Sequence, residues 1–480
     1  METYDRPQTQ WIGNRGIASG SREVLSVINP STEESVGSIP RGSASDIDAA
    51  VAEAKKAGLQ WSRLAPLERK KALATVAGSI VANRAEIARL LTLENGKPVA
   101  QSHGEIDYIV GLAHEYGELA VNLRSGHQHT KDGELAFNQI EPRGVAACIV
   151  PWNYPLVVAF EALLPNLAVG NTVVLKPSEK TPLATRFIFE TAMAELPAGV
   201  CNLVLGDGPS AGEPLVRHPD VGVVLFIGSV ATGRKIARAG GEFLKKVLLE
   251  LGGKDPFIVD ETVDLRAAAK LCASASYTNC GQICTSTERI YVQRKIFEPF
   301  IAALVEESRA LRVGDGFEPG TDVGPLIDDL QLATVQRHVD GAKAAGAEIR
   351  TGGARLDRRG YFFEPTVMTN VNHQMAVMRE ETFGPIAPAM PFDDFEEAIA
   401  LANDSEYGLA SIVCTNDAKR AIHAVQHLQA GMVKINTNRG KTPGTSSEPR
   451  KSSGLGYGYG IEVLYELSTQ KSVHWRGSLV

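Results

Sequence analysis

The sequence predicts an α/β fold with two parallel-sheet domains and two further strand-like stretches, and three observations carry this prediction. From Gly144 to about residue 243, short apolar runs alternate with segments of helical periodicity. A second alternating region extends from Pro256 to about Lys434. Two polar, alternating stretches, residues 125–143 and 467–475, fit neither region. Strands that alternate with helices are typical of doubly wound parallel sheets. We therefore expect two α/β domains that meet near residues 250–254.

The part of the chain before residue 144 is predicted to be mostly helical. Residues 23–28 are strand-like and end in a turn at Asn29 and Pro30. A helix is expected next, with Ser45 as N-cap and Asp48 three residues later, as in a capping box. Residues 67–123 are rich in Ala, Leu and Glu, which favours helices. We interpret most of this region as scaffold.

The two alternating regions supply the predicted strands and helices of the sheets. The strands are expected at residues 145–150, 172–175, 200–204, 223–227, 289–292 and 410–414. Residues 182–195 and 233–243 have helical spacing and lie between strands of the first region. The two outlying stretches resemble exposed strands, which need a partner to cover their open edges. We therefore expect the protein to self-associate.

Length, charge and cysteine content exclude several classes of protein. A chain of 480 residues is too long for one core and should divide into two or three domains. The net charge of −7 gives no concentrated basic face for nucleic acid. No apolar run reaches about eighteen residues, and residues 1–22 are polar, so neither a membrane span nor a signal peptide is expected. The six cysteines show neither a disulfide framework nor metal-site spacing, which indicates a reducing, cytoplasmic compartment and no metal site.

A thiol and a carboxylate carry the predicted chemistry. Residues 279–284 read Asn-Cys-Gly-Gln-Ile-Cys, and residues 249–254 read Leu-Glu-Leu-Gly-Gly-Lys. A nucleophilic thiol at Cys284 with a carboxylate base at Glu250 predicts covalent catalysis through a thioester, followed by hydrolysis. By spacing alone, Cys280 is a rival nucleophile.

Two further runs complete a set of four motifs that resembles the aldehyde dehydrogenase superfamily. Residues 151–155 read Pro-Trp-Asn-Tyr-Pro, and residues 380–385 read Glu-Glu-Thr-Phe-Gly-Pro. The resemblance extends from Asn29 to the strand at 467–475. It implies a Rossmann-type cofactor domain, an α/β catalytic domain and a small oligomerisation β-flap. The implied bounds are 1–123 and 144–252 for the NAD-binding domain, 253–453 for the catalytic domain, and 124–143 and 454–480 for the oligomerisation segments. A homodimer or homotetramer is implied.

The resemblance also implies roles for three catalytic residues. The family's Gly-Gln-x-Cys motif places the nucleophile at Cys284 rather than Cys280. The side-chain amide of Asn153 and the backbone N–H of Cys284 would stabilise the oxyanion. Glu250 resembles the base that activates the hydrolytic water, and CoA-acylating relatives generally lack it. The implied reaction is therefore NAD-dependent oxidation of an aldehyde to a carboxylic acid.

The cofactor site is expected at the ends of the first region's strands. Gly228 and Ser229 follow a strand and begin a helix, where free backbone N–H groups can meet a pyrophosphate. The family's Phe-Thr-Gly-Ser differs here only at Ile227. Glu179 can accept from ribose hydroxyls and would repel a 2′-phosphate, which favours NAD, while the neighbouring Lys176 leaves NADP open. The full implied set of cofactor residues is Val150, Pro151, Trp152, Lys176, Ser178, Glu179, Gly208, Gly212, Phe226, Gly228, Ser229, Leu251, Glu381 and Phe383.

The chain departs from the family near its C-terminus. Gly458 stands where relatives carry a glutamate that can serve in a proton path, so the route of proton release is left open. The preceding loop carries Arg439, Lys441 and Arg450. In family members this loop lines the substrate entrance, and a cationic entrance would suit an anionic semialdehyde. A solvated loop or subunit contact is the alternative interpretation.

Two other functions are weighed against the leading hypothesis. A CoA-acylating semialdehyde dehydrogenase would require CoA, and the presence of Glu250 argues against it. A non-catalytic, cofactor-binding structural relative would be indicated by loss of Cys284 or Glu250, and both are present.

Overall fold

Two large sheets and one small sheet organise the computed structural model of the chain. The structure describes residues 4, 9–18, 20, 23–126, 128–131 and 134–476. The predicted polar start, residues 1–22, therefore lies partly outside the described residues. Across the described residues, no helix combines the length and the apolar character needed to cross a membrane.

The strands are labelled in chain order. They are β1 (Thr9–Ile12), β2 (Arg15–Ala18), β3 (Val24–Asn29), β4 (Glu34–Pro40), β5 (Gln128–Lys131), β6 (Glu134–Pro142), β7 (Val145–Ile149), β8 (Thr172–Lys176), β9 (Cys201–Leu203), β10 (Val221–Ile227), β11 (Lys246–Glu250), β12 (Asp255–Val259), β13 (Thr287–Gln293), β14 (Glu348–Thr351), β15 (Thr366–Thr369), β16 (Ile386–Phe392), β17 (Tyr407–Gly408), β18 (Ala410–Cys414), β19 (Met432–Ile435), β20 (Arg450–Lys451), β21 (Gly454–Leu455) and β22 (Ser468–Arg476).

The helices are labelled in the same way. They are α1 (Ala44–Trp61), α2 (Pro66–Ala82), α3 (Arg84–Asn95), α4 (Val99–Val121), α5 (Pro155–Val169), α6 (Leu183–Thr191), α7 (Glu213–Arg217), α8 (Val230–Glu242), α9 (Leu265–Tyr277), α10 (Phe297–Ala310), α11 (Asp329–Ala344), α12 (Ala376–Arg379), α13 (Phe395–Asn403), α14 (Ala418–His427) and α15 (Ile461–Glu466).

The first large sheet has eight strands in the order β2-β1-β9-β8-β7-β10-β11-β21. Its middle strands, from β9 to β11, run parallel to one another. Their carboxyl ends therefore share one edge of the sheet. The chain order changes direction between β7 and β10, and ligands of open α/β sheets bind outside the strand ends at such a point. The apolar runs predicted as strands are confirmed here, with bounds that differ by one or two residues.

The second large sheet has seven strands in the order β14-β15-β16-β13-β12-β18-β19. All neighbours from β15 to β19 are parallel, and β14 joins antiparallel at the edge. Phe257, Ile258 and Val259 of the central β12 are fully buried, as expected for a strand covered on both faces. The chain passes from the first sheet to the second between β11 and β12, where the sequence predicts it.

The two outlying stretches pair with each other in a three-stranded sheet of order β22-β6-β5. The antiparallel register runs from Ser468 opposite Pro142 to Arg476 opposite Glu134. The prediction that both stretches are strands is confirmed. One difference concerns β21, which lies in the range assigned to oligomerisation. It instead pairs with β11, because Gly454 has no side chain to block its approach to the Leu249 carbonyl.

The first helix begins two residues earlier than predicted. Ser43, and not Ser45, is the N-cap of α1, and Asp46 is its partner. The Ser43 backbone N–H donates to Asp46 Oδ2 at 2.9 Å. Burial accounts for the start of the helix at this position. The face of α1 that packs on the first sheet is then formed by Ile47, Ala50, Val51 and Ala54.

Candidate active site

The candidate site lies where the carboxyl edge of the first sheet meets the second sheet. The turn after β7 carries Asn153, the end of β11 carries Glu250, and the loop after α9 carries Cys284. Asn153 and Cys284 both line one cavity of about 470 Å³. The cavity is built by the turn after β7, the helices α4, α5 and α9, the Cys284 loop, and strands β18 and β19 with the loop that follows.

The Cys284 loop is held in an unusual backbone conformation. Asn279, Cys280 and Gly281 have positive φ angles of 52°, 59° and 71°. Non-glycine residues adopt this left-handed region only at a cost of about 1–3 kcal/mol each, so the surrounding structure must hold them there. The side chain of Gln282 contributes to this, since its Nε2 donates to the Asn279 carbonyl at 3.1 Å and its Oε1 accepts from Ile327 N–H at 2.9 Å.

The two cysteines of this loop have different environments. Cys280 is fully buried in the core of the second sheet. Cys284 is partly exposed and faces the cavity. Burial, and then the negative charge of Glu250, raise the pKa of the Cys284 thiol to about 12, while the positive charge of Lys441 lowers it. Accessibility favours Cys284 as the nucleophile, and its raised pKa means that a base must accept its proton.

Asn153 is fixed by contacts on both sides. It is 4% exposed, and its Nδ2 donates to the Gln282 carbonyl at 3.0 Å. Its own carbonyl accepts from Lys97 Nζ at 2.8 Å and from Asn279 Nδ2 at 2.9 Å. An amide nitrogen has a second hydrogen to donate, so Asn153 can still serve an oxygen atom in the cavity.

The region predicted as scaffold contains the support of this turn. Lys97 lies two residues before α4 and Glu105 lies in its second turn, and the two side chains form a fully buried ion pair. Glu105 Oε2 also accepts from the backbone N–H groups of Leu156 and Val157 at 3.2 and 3.3 Å. Those N–H groups open α5, directly after Asn153, where a carboxylate is favoured. Sequence analysis missed this pair because it is distant from the motifs along the chain.

Glu250 is held much more loosely. In the described part of the chain its carboxylate makes no hydrogen bond or ion pair, although its backbone carbonyl accepts from Gly228 N–H. Burial raises its pKa to about 7, against the opposing positive charge of Lys441. A carboxylate with this pKa can act as a general base near neutral pH. Glu250 lies beside the cavity rather than in its lining, and its charge acts on the Cys284 thiol.

Gly458 faces the Glu250 carboxylate. A Cβ atom at position 458 would overlap the carboxylate of Glu250. The space that a side chain at 458 would use is thus filled by Glu250 itself. The departure from the family at this position therefore changes the surroundings of the candidate base.

The strand ends of the first sheet form a crevice that fits a dinucleotide. Ser229 caps α8, with its Oγ accepting from Thr232 N–H, so the first turn of α8 presents backbone N–H groups. A Cβ at Gly208 would meet no atom within 4 Å, and one at Gly212 would meet only Lys176 Cδ at 3.9 Å. This glycine surface leaves room for a ligand beside Lys176.

Other predicted cofactor residues pack against the glycines of this crevice or lie at its border. The ring of Phe226 packs against Gly228, and Leu251 packs against Gly233 of α8. Lys176 Nζ pairs with Glu179 Oε2 at 3.2 Å, and Glu179 remains partly exposed. The buried members of the set are Val150, Lys176, Ser178, Gly212, Phe226 and Leu251.

The turn that carries Glu381 closes the side of the crevice opposite the glycine surface. Trp152 and Phe383 meet edge to face with ring centroids 5.5 Å apart. Glu288 holds the turn, since it accepts from the N–H groups of Thr382 and Phe383 at 2.7 and 2.8 Å. Glu381 Oε1 accepts from Gly253 N–H at 3.0 Å, and burial raises the pKa of Glu381 to about 8. The residues present therefore fit a dinucleotide, which Lys176, Ser229 and Glu381 would hold.

The predicted cationic entrance is only partly assembled. Lys441 lines the cavity, whereas Arg439 and Arg450 are exposed and lie outside its lining. Arg450 instead forms a short strand pair opposite Gly408. Of the three cations close in sequence, only Lys441 therefore reaches the lining of the cavity.

A charged cluster on the cavity wall was missed by sequence analysis. Glu161 Oε2 pairs with Lys441 Nζ at 3.0 Å, and Glu161 Oε1 accepts from the Tyr108 hydroxyl at 2.7 Å. All three residues line the cavity, as does Lys434 from β19. A signal for Glu161 was present, because it is the one charged residue in the otherwise apolar α5.

Comparisons with known proteins agree with this geometry. A family model described as the aldehyde dehydrogenase family matches residues 17–473. The chain is 36% identical over 469 residues to a 3,6-anhydro-α-L-galactose dehydrogenase from Vibrio sp. (strain EJY3), covering 96% of this chain and 98% of the relative. Among solved structures it resembles betaine aldehyde dehydrogenase from Staphylococcus aureus in complex with NAD+, with a TM-score of 0.94, 34% identity and coverage of 97% and 94%. It also resembles lactaldehyde dehydrogenase from Escherichia coli, with a TM-score of 0.95, 33% identity and coverage of 99% and 100%.

Proposed function

The chain belongs to the aldehyde dehydrogenase family, and on this premise we propose that it oxidises an aldehyde to a carboxylic acid through a thioester at Cys284. The observation that carries the proposal is the shared cavity, in which an accessible Cys284 thiol lies beside the Asn153 amide and within the electrostatic influence of Glu250. These are the nucleophile, oxyanion donor and base that acyl chemistry requires.

The first step uses all three groups. Glu250, with its pKa near 7, accepts the Cys284 proton, and the thiolate then adds to the aldehyde carbonyl. The negative charge that develops on the carbonyl oxygen is stabilised by Asn153 Nδ2 and the Cys284 backbone N–H. The Lys97–Glu105 pair keeps Asn153 in place for this role.

The second step releases the product. Bound NAD or NADP supplies the acceptor for the hydride that leaves the tetrahedral adduct. Glu250 first gives up the proton taken from Cys284 to solvent and becomes a carboxylate again. It then accepts a proton from the water that attacks the thioester carbonyl, and the departing Cys284 sulfur takes that proton back from Glu250. The absence of hydrogen bonds to the Glu250 carboxylate, among the described residues, leaves it able to serve both steps.

For the cofactor we propose a preference for NAD over NADP. Glu179 is partly exposed at the end of β8, and its charge would repel a 2′-phosphate. Lys176 Nζ pairs with Glu179 Oε2 at 3.2 Å, so the positive charge beside the strand end is balanced by a carboxylate. The NAD+ complex of the S. aureus relative supports this assignment.

We also keep three broader predictions as proposals. Self-association as a dimer or tetramer is supported by the small sheet, whose outer strands β5 and β22 have no further strand beside them among the described residues. A reducing, cytoplasmic compartment is supported by six cysteines that are all free. We also propose the domain bounds drawn from the sequence, supported by the two large sheets, while β21 in the range given to oligomerisation pairs with β11 of the first sheet.

An anionic semialdehyde substrate has little support from the cavity. The lining cation Lys441 is paired with Glu161, and Lys434 is opposed by the buried Asp255. The exposed Arg439 and Arg450 lie outside the lining. The cavity is therefore close to electroneutral, and Glu250 adds negative charge when it is ionised.

The test is NADH formation by the purified protein with a panel of aldehydes, run in parallel with NADP and with added CoA. We expect turnover with NAD that does not require CoA and that disappears in Cys284→Ala. Cys280→Ala is the matched control, because it removes a buried thiol four residues away, and it should retain turnover. Measurable NAD binding without turnover of any aldehyde would contradict the proposal, and a CoA requirement would favour the acylating alternative.

A further inference from the structure

One wall of the cavity carries an ion pair that takes no part in the proposed bond-making steps, although the charge of Lys441 lowers the pKa values of Cys284 and Glu250. Glu161 comes from α5, Tyr108 from α4, and Lys441 from the loop after β19. The Glu161 carboxylate is bridged by Lys441 Nζ at 3.0 Å and by the Tyr108 hydroxyl at 2.7 Å. Three separate elements thus bring their polar atoms to one point of the lining.

This cluster is costly to place where it is. Glu161 is 9% exposed, and it projects from a helix whose other residues are uncharged. Removing two charges from water carries a large desolvation penalty, and apolar residues of similar size often stabilise such a position as well or better. Its presence in the lining of a binding cavity is therefore better explained by a ligand than by stability.

The hydrogen-bonding capacity of the cluster is only partly used. The Lys441 ammonium has three hydrogens, of which one serves Glu161. The Glu161 carboxylate has about four acceptor sites, of which two are occupied. Donors and acceptors thus lie side by side on the same wall. A ligand group that both donates and accepts, such as a hydroxyl, satisfies both kinds of atom.

Other ligand chemistries fit less well. An apolar aldehyde would displace water from the ion pair without replacing its hydrogen bonds. A carboxylated aldehyde would be attracted by Lys441 but repelled by Glu161 and by ionised Glu250. A cationic aldehyde would be attracted by Glu161 but repelled by Lys441 and Lys434.

We infer that the substrate is an uncharged, polyhydroxylated aldehyde whose hydroxyl groups bind the cluster of Tyr108, Glu161 and Lys441. The inference rests on the proposed function, because it concerns the same cavity and the same reaction at Cys284. The cluster sets the substrate preference, while Cys284, Asn153 and Glu250 carry the reaction. Gln101, Thr278 and Asn438 also line the cavity and add further polar groups to it.

The test compares kcat/KM for four-carbon aldehydes that differ in one property. The probes are D-erythrose, butanal, succinate semialdehyde and 4-(trimethylammonio)butanal, with each concentration expressed as free aldehyde. We expect kcat/KM for erythrose to exceed that for each of the others by about tenfold or more, as hydrogen bonds to charged groups allow. Equal or better use of butanal would overturn the inference.

Variants of the cluster test whether these side chains set the substrate preference. Glu161→Leu combined with Lys441→Met removes the ion pair without leaving a lone charge, and it should lower kcat/KM for erythrose while raising that for butanal. Glu161→Gln leaves Lys441 unopposed, so it should raise kcat/KM for succinate semialdehyde relative to erythrose. An unchanged ranking in both variants would overturn the inference.

A second pair of variants tests the same point with substitutions that disturb the fold less. Tyr108→Phe removes one hydroxyl from the cluster and should lower kcat/KM for erythrose about tenfold with little change for butanal. Tyr459→Phe is its matched control, because that hydroxyl binds Glu115 outside the lining. Turnover of several aldehydes without the expected ranking would defeat the inference alone, whereas no turnover of any aldehyde would defeat the proposed function as well.

Discussion

Asn153 and Glu250 follow strands of the same sheet, but the two side chains are held in different ways. Asn153 is buried, its carbonyl accepts from Lys97 and Asn279, and its side-chain amide donates to the Gln282 carbonyl. The Glu250 carboxylate has no hydrogen-bond partner among the described residues and lies against a glycine. An oxyanion donor acts best when it does not reorganise during the reaction. A base that serves both a thiol and a water must be able to move. The difference in restraint therefore matches the difference in task.

The largest expected effect follows removal of the loosely held base. Glu250→Gln keeps the shape of the side chain but cannot accept a proton. Because general-base catalysis typically contributes about 10²–10⁴-fold, steady-state kcat should fall by that amount. The measurement is the NADH time course under single-turnover and steady-state conditions. A variant that retains full kcat would show that another group activates the water.

The next effect follows removal of the rigid donor. Asn153→Ala should lower kcat by about 10²–10³-fold, because one oxyanion donor is lost at the transition state. Like Glu250→Gln, which removes the base of both steps, it should slow both formation and hydrolysis of the thioester. Pre-steady-state kinetics can separate these steps. A selective effect on hydrolysis would contradict the assigned role.

A third prediction tests whether the restraint of Asn153 matters. Lys97→Met leaves Glu105 buried without its partner, which should destabilise the fold by about 3–5 kcal/mol. The double variant Lys97→Met with Glu105→Gln removes both charges and should recover much of that stability. It still lacks the hydrogen bond to the Asn153 carbonyl, and a displacement of about 1 Å can cost about 10²-fold in rate.

Thermal unfolding and kcat of both variants measure this prediction. Recovery of stability without recovery of kcat would support a positioning role for Lys97. If kcat returned together with stability, the ion pair would be structural only.

The pH dependence of thioester hydrolysis tests the state of the base. Burial raises the pKa of Glu250 to about 7, so the carboxylate that accepts the proton is lost as pH falls through that value. Hydrolysis should therefore be fast above pH 7 and slow by about tenfold for each pH unit well below it. Lys441→Met removes a charge that lowers this pKa, so the midpoint should move to higher pH. A midpoint near the ordinary pKa of glutamate would contradict the account.

The smallest expected effect concerns Gly458. In Gly458→Ala the new methyl group would overlap the Glu250 carboxylate and displace it. Displacement toward water should lower the pKa of Glu250, so the pH midpoint of hydrolysis should fall below that of the native protein. Leu455→Ala is a nearby control, because that side chain is exposed and does not face Glu250. Identical pH profiles for Gly458→Ala and the native protein would show that Glu250 does not rest beside this glycine.

The sequence predicts the parts of this site that are contiguous along the chain. The motifs around Cys284, Glu250, Asn153 and Glu381 each occupy a few neighbouring residues, and the structure places them around one crevice and cavity. The alternation of apolar runs likewise predicts the parallel strands, because strands buried on both faces are uniformly apolar. Local pattern and tertiary structure agree in these places.

The remainder depends on contacts between distant segments. Lys97 and Glu105 support Asn153 from about fifty residues away, and no local pattern distinguishes them from solvated charges of a helix. The partners of Glu161 are likewise remote, since Tyr108 and Lys441 lie 53 and 280 positions from it. The prediction of where α1 starts was wrong for another reason. Ser43 and Ser45 each have an aspartate three residues later, so the capping pattern alone could not decide which serine is the N-cap.

The most direct measurement of the central claim is mass spectrometry of the Glu250→Gln variant, quenched in acid after one turnover with NAD and aldehyde. The account predicts an acyl group on the peptide that carries Cys284, formed in step with NADH and lost only slowly. The native protein should show far less of this adduct, and Cys284→Ala should show none. NADH formation without an acyl adduct, or an adduct on another residue such as Cys280, would contradict the account.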